Sequence, residues 1–393
     1  MMIKNLIKKI LGDRFVSLYH YILALGGAVI FGFPGYDKNI KIIGITGTSG
    51  KSTTADLITK ILESSGNKVA SISTIRFKIG SQEWENKYKM TMPGRFVIQK
   101  FLRQAKRAGC NFIVLEVTSQ GILQFRHKFI NFDTAVFTNL SPEHVEAHGS
   151  FENYRNAKLR LFKATKNIHI INADDKSSEY FFKIPAKKTI KFSVNDNNIY
   201  NLKLSLAGDF NLMNALAAMS TAKAYGIPED VCKNVLESAK AIPGRMEFVQ
   251  NLPFEVVVDY AHTPEQLEAV YKSFQGKNLI CVLGSAGGGR DKWKRPVLGE
   301  IAKKYCSQII VTNEDPYDED PMEIISQVAQ NSGDKTQKIL DRKEAIKKAI
   351  DLAKPGEVVA ITGKGSESLM CVADGKKIPW SDREIAKEIL TKK

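Results

Sequence analysis

Cysteine is scarce. The 393 residues include five, Cys110, Cys232, Cys281, Cys306 and Cys371, and no two stand in a C-x-x-C spacing. That argues against zinc-ribbon and disulfide-framework readings. The apolar or helical setting of each predicts reduced core thiols in a cytosolic protein. No nucleic-acid-binding module is present either, although the charge is one-sided: 57 Lys and Arg against 42 Asp and Glu, a formal +15. The basic residues are dispersed, so most read as solvated surface. The excess suits a polyanion such as a nucleotide or nucleotide-sugar, and no nucleic-acid partner is expected. Hydrophobic residues at 43% and charged ones at 25% are ordinary for a globular chain, and the length allows two to three domains.

A second absence is local. Phe15 to Tyr36 contains no Asp, Glu, Lys or Arg. A run that long raises a membrane question. Gly26, Gly27, Gly32, Pro34, Gly35, His20 and two tyrosines count against a spanning helix. The basic start (Lys4, Lys8, Lys9, Arg14) leads to no clear small-residue cleavage site, so a signal peptide is not expected. The segment is expected to pack on the protein's own surface. The alternative is peripheral membrane contact through residues 15–36, at the inner face of the membrane.

What is present is organised around Gly44-Ile45-Thr46-Gly47-Thr48-Ser49-Gly50-Lys51-Ser52-Thr53. An apolar strand-like run, Ile40 to Ile45, precedes it. Leu57, Ile58, Ile61 and Leu62 follow at helical spacing. Strand, glycine-rich loop, Lys-Ser and helix make a phosphate-cradling loop. Glycines let backbone N–H groups face phosphate oxygens, and the helix N-terminus adds partial positive charge. Lys51 is expected on the β/γ-phosphates and Ser52 on Mg²⁺. Gly47, Thr48, Ser49, Gly50 and Thr53 complete the ATP cradle.

Downstream, apolar runs at 68–75, 111–118, 133–139 and 168–172 alternate with helical patterns. They predict a doubly wound, mainly parallel sheet. Ligands of such sheets sit beyond the strand C-termini, which singles out Glu116, a carboxylate ending an apolar strand. A second series of strands at 254–260, 279–284, 308–312 and 358–362 predicts a smaller Rossmann-like α/β domain. The fold class is α/β. The expected divisions are an apolar segment 1–40, an ATP-binding domain 41–243 and a C-terminal domain 244–393, with a linker at Ile242-Pro243-Gly244.

Taken in order, TGTSGKST (46–53), EVTSQGILQFR (116–126), TNLSPEHVEAHG (138–149), NYRNAKLRLF (153–162), GDFNLMNALAA (208–218), PGRME (243–247), VDYAHTP (258–264), GGGRDKWKRP (287–296), NEDPYDEDP (313–321) and TGKGSE (362–367) resemble the Mur ligase family. Those enzymes are ATP-dependent amide-bond ligases that add amino acids to a nucleotide-linked muramyl peptide. The match spans nearly the whole chain and is nearest the branch that adds the third residue of the stem peptide. The resemblance implies Mg²⁺ on Ser52, Glu116, His144 and Lys158, the last carried as a CO₂-derived carbamate. It implies catalytic roles for Lys51, Lys158, His144 and Glu116. ATP contacts fall on Asn139, Asn211, Asn214, Arg245 and Asp259. Acceptor contacts fall on Thr91, Met92, Ser119, Gln124 and Arg126. The amino acid falls to Arg290, Glu314, Asp315, Tyr317, Gly363 and Glu367. The implied reaction runs through an acyl phosphate in a cytoplasmic monomer, with domain closure about 242–244.

Two departures stand out. Only about forty apolar residues precede the loop, where the tripeptide synthetases carry a uridine-binding domain. And Glu314-Asp315-Pro316-Tyr317 replaces the Asp-Asn-Pro-Arg of members that add meso-diaminopimelate, where the arginine forks onto the distal carboxylate. Asp318, Glu319 and Asp320 follow, as pocket acids or as a solvated acidic turn before a helix, and an acidic pocket for a diamino acid such as L-lysine is expected. The alternatives are a superfamily ligase with a lipid-linked or folate-type acceptor, and a non-catalytic nucleotide-binding scaffold at the membrane.

Overall fold

The computed structural model describes residues 2–392, with side chains from Phe15 onward. The chain forms two compact units. The first comprises Met1–Leu140, Glu152–Leu204 and Leu212–Ser238; the second comprises Ser141–Phe151, Ser205–Asn211 and Ala239–Lys393.

The first unit begins with helix α1 (Met2–Ile30). Its sheet contains β1 (Lys41–Thr46), β2 (Val69–Ile72), β3 (Arg76–Ile79), β4 (Gln82–Glu85), β5 (Phe112–Glu116), β6 (Thr134–Phe137), β7 (Ile168–Asn172) and β8 (Lys188–Phe192). The order is β4-β3-β2-β5-β1-β6-β7-β8. Pairing is parallel from β2 to β8, and β3 and β4 add an antiparallel edge. The central β1 and β5 are apolar almost throughout because helices cover both faces of a parallel sheet. Helix α2 (Lys51–Ser64) leaves the phosphate loop and buries Leu57, Ile58, Ile61 and Leu62, as the spacing predicts. Helix α3 (Arg95–Arg107) packs beneath α1, which turns small residues toward it: Ala24 and Ala28 are buried, and Gly27 sits where a Cβ would touch the Arg95 backbone.

The second unit carries a six-stranded sheet, built from β9 (Glu247–Gln250), β10 (Glu255–Asp259), β11 (Leu279–Leu283), β12 (Gln308–Thr312), β13 (Thr336–Ile339) and β14 (Val358–Thr362). Its order is β13-β12-β11-β14-β10-β9, with only β9 antiparallel. The stretch expected as a linker is structured: Ile242 is buried, and it bridges to Arg245. Among the described residues no helix is long and apolar enough to cross a membrane.

Candidate active site

The phosphate loop follows β1 at the C-terminal edge of the first sheet, flanked by the ends of β5 and β6. Two glycines are sterically required. A Cβ at Gly47 would collide with Thr138 Oγ1, and one at Gly50 (φ 78°) with Asn214 Oδ1. Asn139 braces the loop from the β6 side: its Oδ1 accepts from Ser49 N at 2.9 Å, and its carbonyl accepts from Thr48 N at 2.9 Å. Thr138 Oγ1 donates to the Ser49 carbonyl at 2.7 Å. Asn139 and Asn214, expected as nucleotide contacts, therefore shape the cradle itself. Lys51 Nζ donates to the carbonyls of Gly47 (2.9 Å) and Thr48 (2.8 Å), curling back over the loop. Ser52 and Thr53 are buried in the first turn of α2.

Helix α4 (Ser119–Leu123), helix α5 (Val145–His148) and helix α6 (Phe151–Ala164) follow. Lys158 on α6 is buried, at 2% exposure, and its Nζ donates to the Gly47 carbonyl at 2.6 Å. Tyr154, one turn earlier, holds Thr48 Oγ1 at 3.1 Å, and its ring lies 4.4 Å below the Lys158 ammonium. Glu116 ends β5, and its carboxylate accepts from Thr74 N at 3.0 Å and Thr74 Oγ1 at 3.2 Å. Thr74 in turn meets Thr91 at 2.8 Å. Of the expected metal set, Ser52, Glu116 and Lys158 belong to the first unit, while His144, a left-handed residue (φ 55°) capping α5, belongs to the second. Among the described residues no three His, Cys, Asp or Glu side chains converge as a ready metal cluster. The expected set holds only two such residues, so a carbamate on Lys158 would add the missing carboxylate oxygens. Within the first unit the Ser52 hydroxyl and the Glu116 carboxylate are oxygen donors, and such donors with a glycine-shaped anion cradle fit a magnesium nucleotide.

The expected acceptor residues Ser119, Gln124, Arg126 and Met92 lie about α4, and Thr91 adjoins Thr74. Ser119 is buried in its first turn, and Met92 packs against Gly121, where a Cβ would strike its sulfur. Arg126 donates to Gln124 Oε1 at 2.6 Å and to the Met92 carbonyl. Sequence reasoning missed Arg95, whose Nε donates to the Gln124 carbonyl at 2.8 Å. Arg95 Nη2 and Arg126 Nε are buried without a hydrogen-bond partner. Burial, then the neighbouring Arg95, pushes Arg126 down to about 10. Two half-buried guanidinium groups, each with one buried nitrogen that has no partner, have the chemistry to hold an anion.

In the second unit, Arg245 lies over the Tyr260 ring at 4.4 Å. Asp259, at the end of β10, accepts from Met246 N (2.7 Å) and Ala261 N (2.6 Å), each oxygen keeping a further lone pair. Burial raises its pKa, against the pull of Arg245 and those amides. Asn211 Nδ2 donates to the Ala207 carbonyl at 2.6 Å, a local helix-start contact. Burial opposes the charge of Arg290, but Tyr260, Tyr317 and Glu143 outweigh it and raise its pKa. Glu314 is buried, and its Oε2 has no partner; it lies where a Cβ on Gly363 would be. Burial raises the Glu314 carboxyl, with Arg342 opposing.

The acidic pocket is smaller than its sequence suggests. Asp315 and Glu367 are both tied to Lys364 at 2.8 Å. Asp320 caps the following helix through Met322 N, Glu319 pairs with Arg295, and Asp318 accepts from Asp374 N. The run 318–320 is thus a capped, ion-paired turn ahead of that helix. Tyr317 adopts φ 53° and shields Gly288, whose Cβ would meet its ring. Glu143 and Lys294 are further residues the sequence did not single out. His262 Nε2 lies 3.1 Å from Glu143, and Lys294 Nζ donates to the His262 carbonyl at 2.9 Å. Burial disfavours the Glu143 charge, yet His144, His262 and Lys294 hold its pKa well below the usual carboxylate range.

A glycine-shaped phosphate loop with a buried lysine on its carbonyl, in a chain whose second unit holds the buried, unpartnered Glu314 oxygen and the half-buried Arg290, fits an ATP-dependent acid–amino-acid ligase. The chain belongs to the Mur ligase family: the Mur ligase middle domain matches residues 45–202, and the Mur ligase glutamate ligase domain matches 244–365. It is 37% identical over 405 residues to the UDP-N-acetylmuramoyl-L-alanyl-D-glutamate–2,6-diaminopimelate ligase of Syntrophomonas wolfei, covering 94% of this chain and 81% of that one. It is 34% identical over 418 residues, with the same coverage, to the UDP-N-acetylmuramyl-tripeptide synthetase of Roseiflexus sp.. A solved diaminopimelate ligase of the same kind superposes with a TM-score of 0.60 at 29% identity, over 90% of this chain and 79% of that one.

Proposed function

We propose that the chain joins a diamino acid to the terminal carboxylate of a UDP-muramyl dipeptide, using ATP, in peptidoglycan precursor synthesis in the cytoplasm. The observation that carries this reading is Lys158, buried 2.6 Å from the Gly47 carbonyl of the phosphate loop. A surface lysine gains nothing from that position. A lysine that takes up CO₂ becomes a carboxylate on a long arm beside the phosphates. Magnesium, when bound through Ser52, Glu116, His144 and that carbamate, supplies positive charge against the triphosphate.

The chain's own residues then do the following. Gly47 to Thr53 and Lys51 hold the phosphates, while Arg245 and Asp259 hold the rest of the nucleotide. Arg126, Gln124, Ser119, Thr91 and Met92, joined by Arg95, hold the acceptor. Its carboxylate oxygen attacks the γ-phosphorus of ATP, ADP departs, and an acyl phosphate forms. The deprotonated amine of the amino acid attacks the acyl carbon, and phosphate leaves. Arg290 holds the amino acid's α-carboxylate, and the unpartnered Glu314 oxygen receives its side-chain ammonium.

That acid, with Tyr317 standing where an arginine fork would be, favours L-lysine. Diaminopimelate is the second reading, favoured by the names of the relatives. The test is phosphate release from ATP with the UDP-muramyl dipeptide over a panel of amino acids. Release that depends on lysine, and exceeds release with diaminopimelate, supports the reading. Release with diaminopimelate alone transfers the specificity to the second reading, and release with neither overturns the assignment.

A further inference from the structure

Helix α1 is packed inside out for a helix that ends at the protein surface. Among its described side chains, Ala24 and Ala28 are buried, Gly27 lies against the Arg95 backbone, and several large apolar residues are exposed. Phe15, Leu18, Tyr19, Ile22, Val29 and Ile30 are each between 52% and 62% exposed. Their spacing places them on one helical face, opposite the buried Ala24 and Ala28. Scattered exposed hydrophobics need no explanation, but a continuous apolar face marks a surface that something covers. No described helix is long and apolar enough to cross a membrane.

We infer that this face lies in the surface of an anionic lipid membrane. The charge around it names the occupant. Residues 1–36 hold Lys4, Lys8, Lys9 and Arg14 against one acidic residue, Asp13. Basic residues leading into an aliphatic and aromatic face are what anionic headgroups over acyl chains attract. Tyr19 adds a ring with an apolar body and a polar tip, suited to the headgroup level. The net charge of +15 acts in the same direction at longer range.

The experiment is co-sedimentation of the full chain with phosphatidylglycerol-containing vesicles and with pure phosphatidylcholine vesicles. The comparison variant is Ile22→Glu/Val29→Glu, which alters exposed positions only, and thermal melts check that it folds like the parent. The inference predicts binding to the anionic vesicles, weaker binding to the neutral ones, and loss of both in the double variant with an unchanged melt. Lys4→Gln and Lys8→Gln should each lower partitioning to anionic vesicles by about fivefold. Failure to sediment with either vesicle overturns it, as does equal sedimentation of the double variant. So does an elution profile in which the parent is a dimer that the double variant splits, without vesicle binding, since the face is then covered by a second copy.

Discussion

The ammonium of Lys158 donates to the carbonyl of Gly47 at 2.6 Å, so a buried cation and the phosphate loop share one hydrogen bond. Carbamylation would replace two of the three ammonium N–H donors by a carboxylate and leave one N–H on Nζ. Lys158→Arg keeps the cation and Lys158→Ala removes it, but neither can form a carbamate. Both are expected to lose about 10²–10³-fold in kcat, as for loss of a group that stabilises transition-state charge. The check is kcat for both variants, with a ¹³C carbamate resonance in the parent given labelled bicarbonate.

Gly50→Ala should disable nucleotide binding. Its φ of 78° disfavours any side chain, and the added methyl meets Asn214. Isothermal titration with an ATP analogue is expected to show weakened or absent binding. Asn214→Ala in the same background opens the space and should restore part of it.

The guanidinium pair beside α4 predicts a KM effect. Arg95→Ala removes a donor set that has an unspent N–H, Nη2. KM for the acceptor should rise about ten- to a hundredfold, the loss of one charged hydrogen-bonding group, with KM for ATP unchanged. Steady-state kinetics in each substrate separates the two.

Glu314 trades stability for function. Burial raises its carboxyl, so the native state binds that proton more tightly than the unfolded chain does. The group's stabilising contribution is therefore present at low pH and is lost as pH rises from the ordinary Glu range through the native value. Glu314→Gln removes this loss. Its Tm should match or exceed the parent's at neutral pH, and the difference should vanish below pH ~4. Its KM for the diamino acid should rise about tenfold or more. Thermal melts across pH and kinetics with lysine check both halves.

Arg342 and Asp382 form a buried pair at 2.7 and 2.8 Å, and Trp380 Nε1 also donates to the carboxylate at 2.8 Å. Asp382→Asn leaves an uncompensated cation and should destabilise the protein by about 3–5 kcal/mol. Denaturant unfolding followed in the second unit measures it.

The central strands β1, β5, β6, β10, β11 and β14 were legible because burial on both faces writes an unbroken apolar run. The edge and near-edge strands β3, β4, β8, β9 and β13 were not. Gln82–Glu85 is exposed throughout, and Lys188–Phe192 buries only Phe192, so neither carries a run or a full alternation. The phosphate loop was legible because its chemistry is local. Arg95, Glu143 and Lys294 were not, since a charged residue gives no periodic signal when tertiary contacts decide its burial. The neutralisation of Asp315 and Glu367 by Lys364 is likewise a three-dimensional fact, and it narrows the expected acidic pocket to Glu314.

The most direct test of the whole account follows one oxygen atom. The acceptor is labelled with ¹⁸O in its terminal carboxylate and incubated with the protein, ATP, Mg²⁺ and the diamino acid. An acyl phosphate predicts that one ¹⁸O appears in the released inorganic phosphate and the other stays in the new amide. Unlabelled phosphate, with both labels retained in the acceptor, would contradict it.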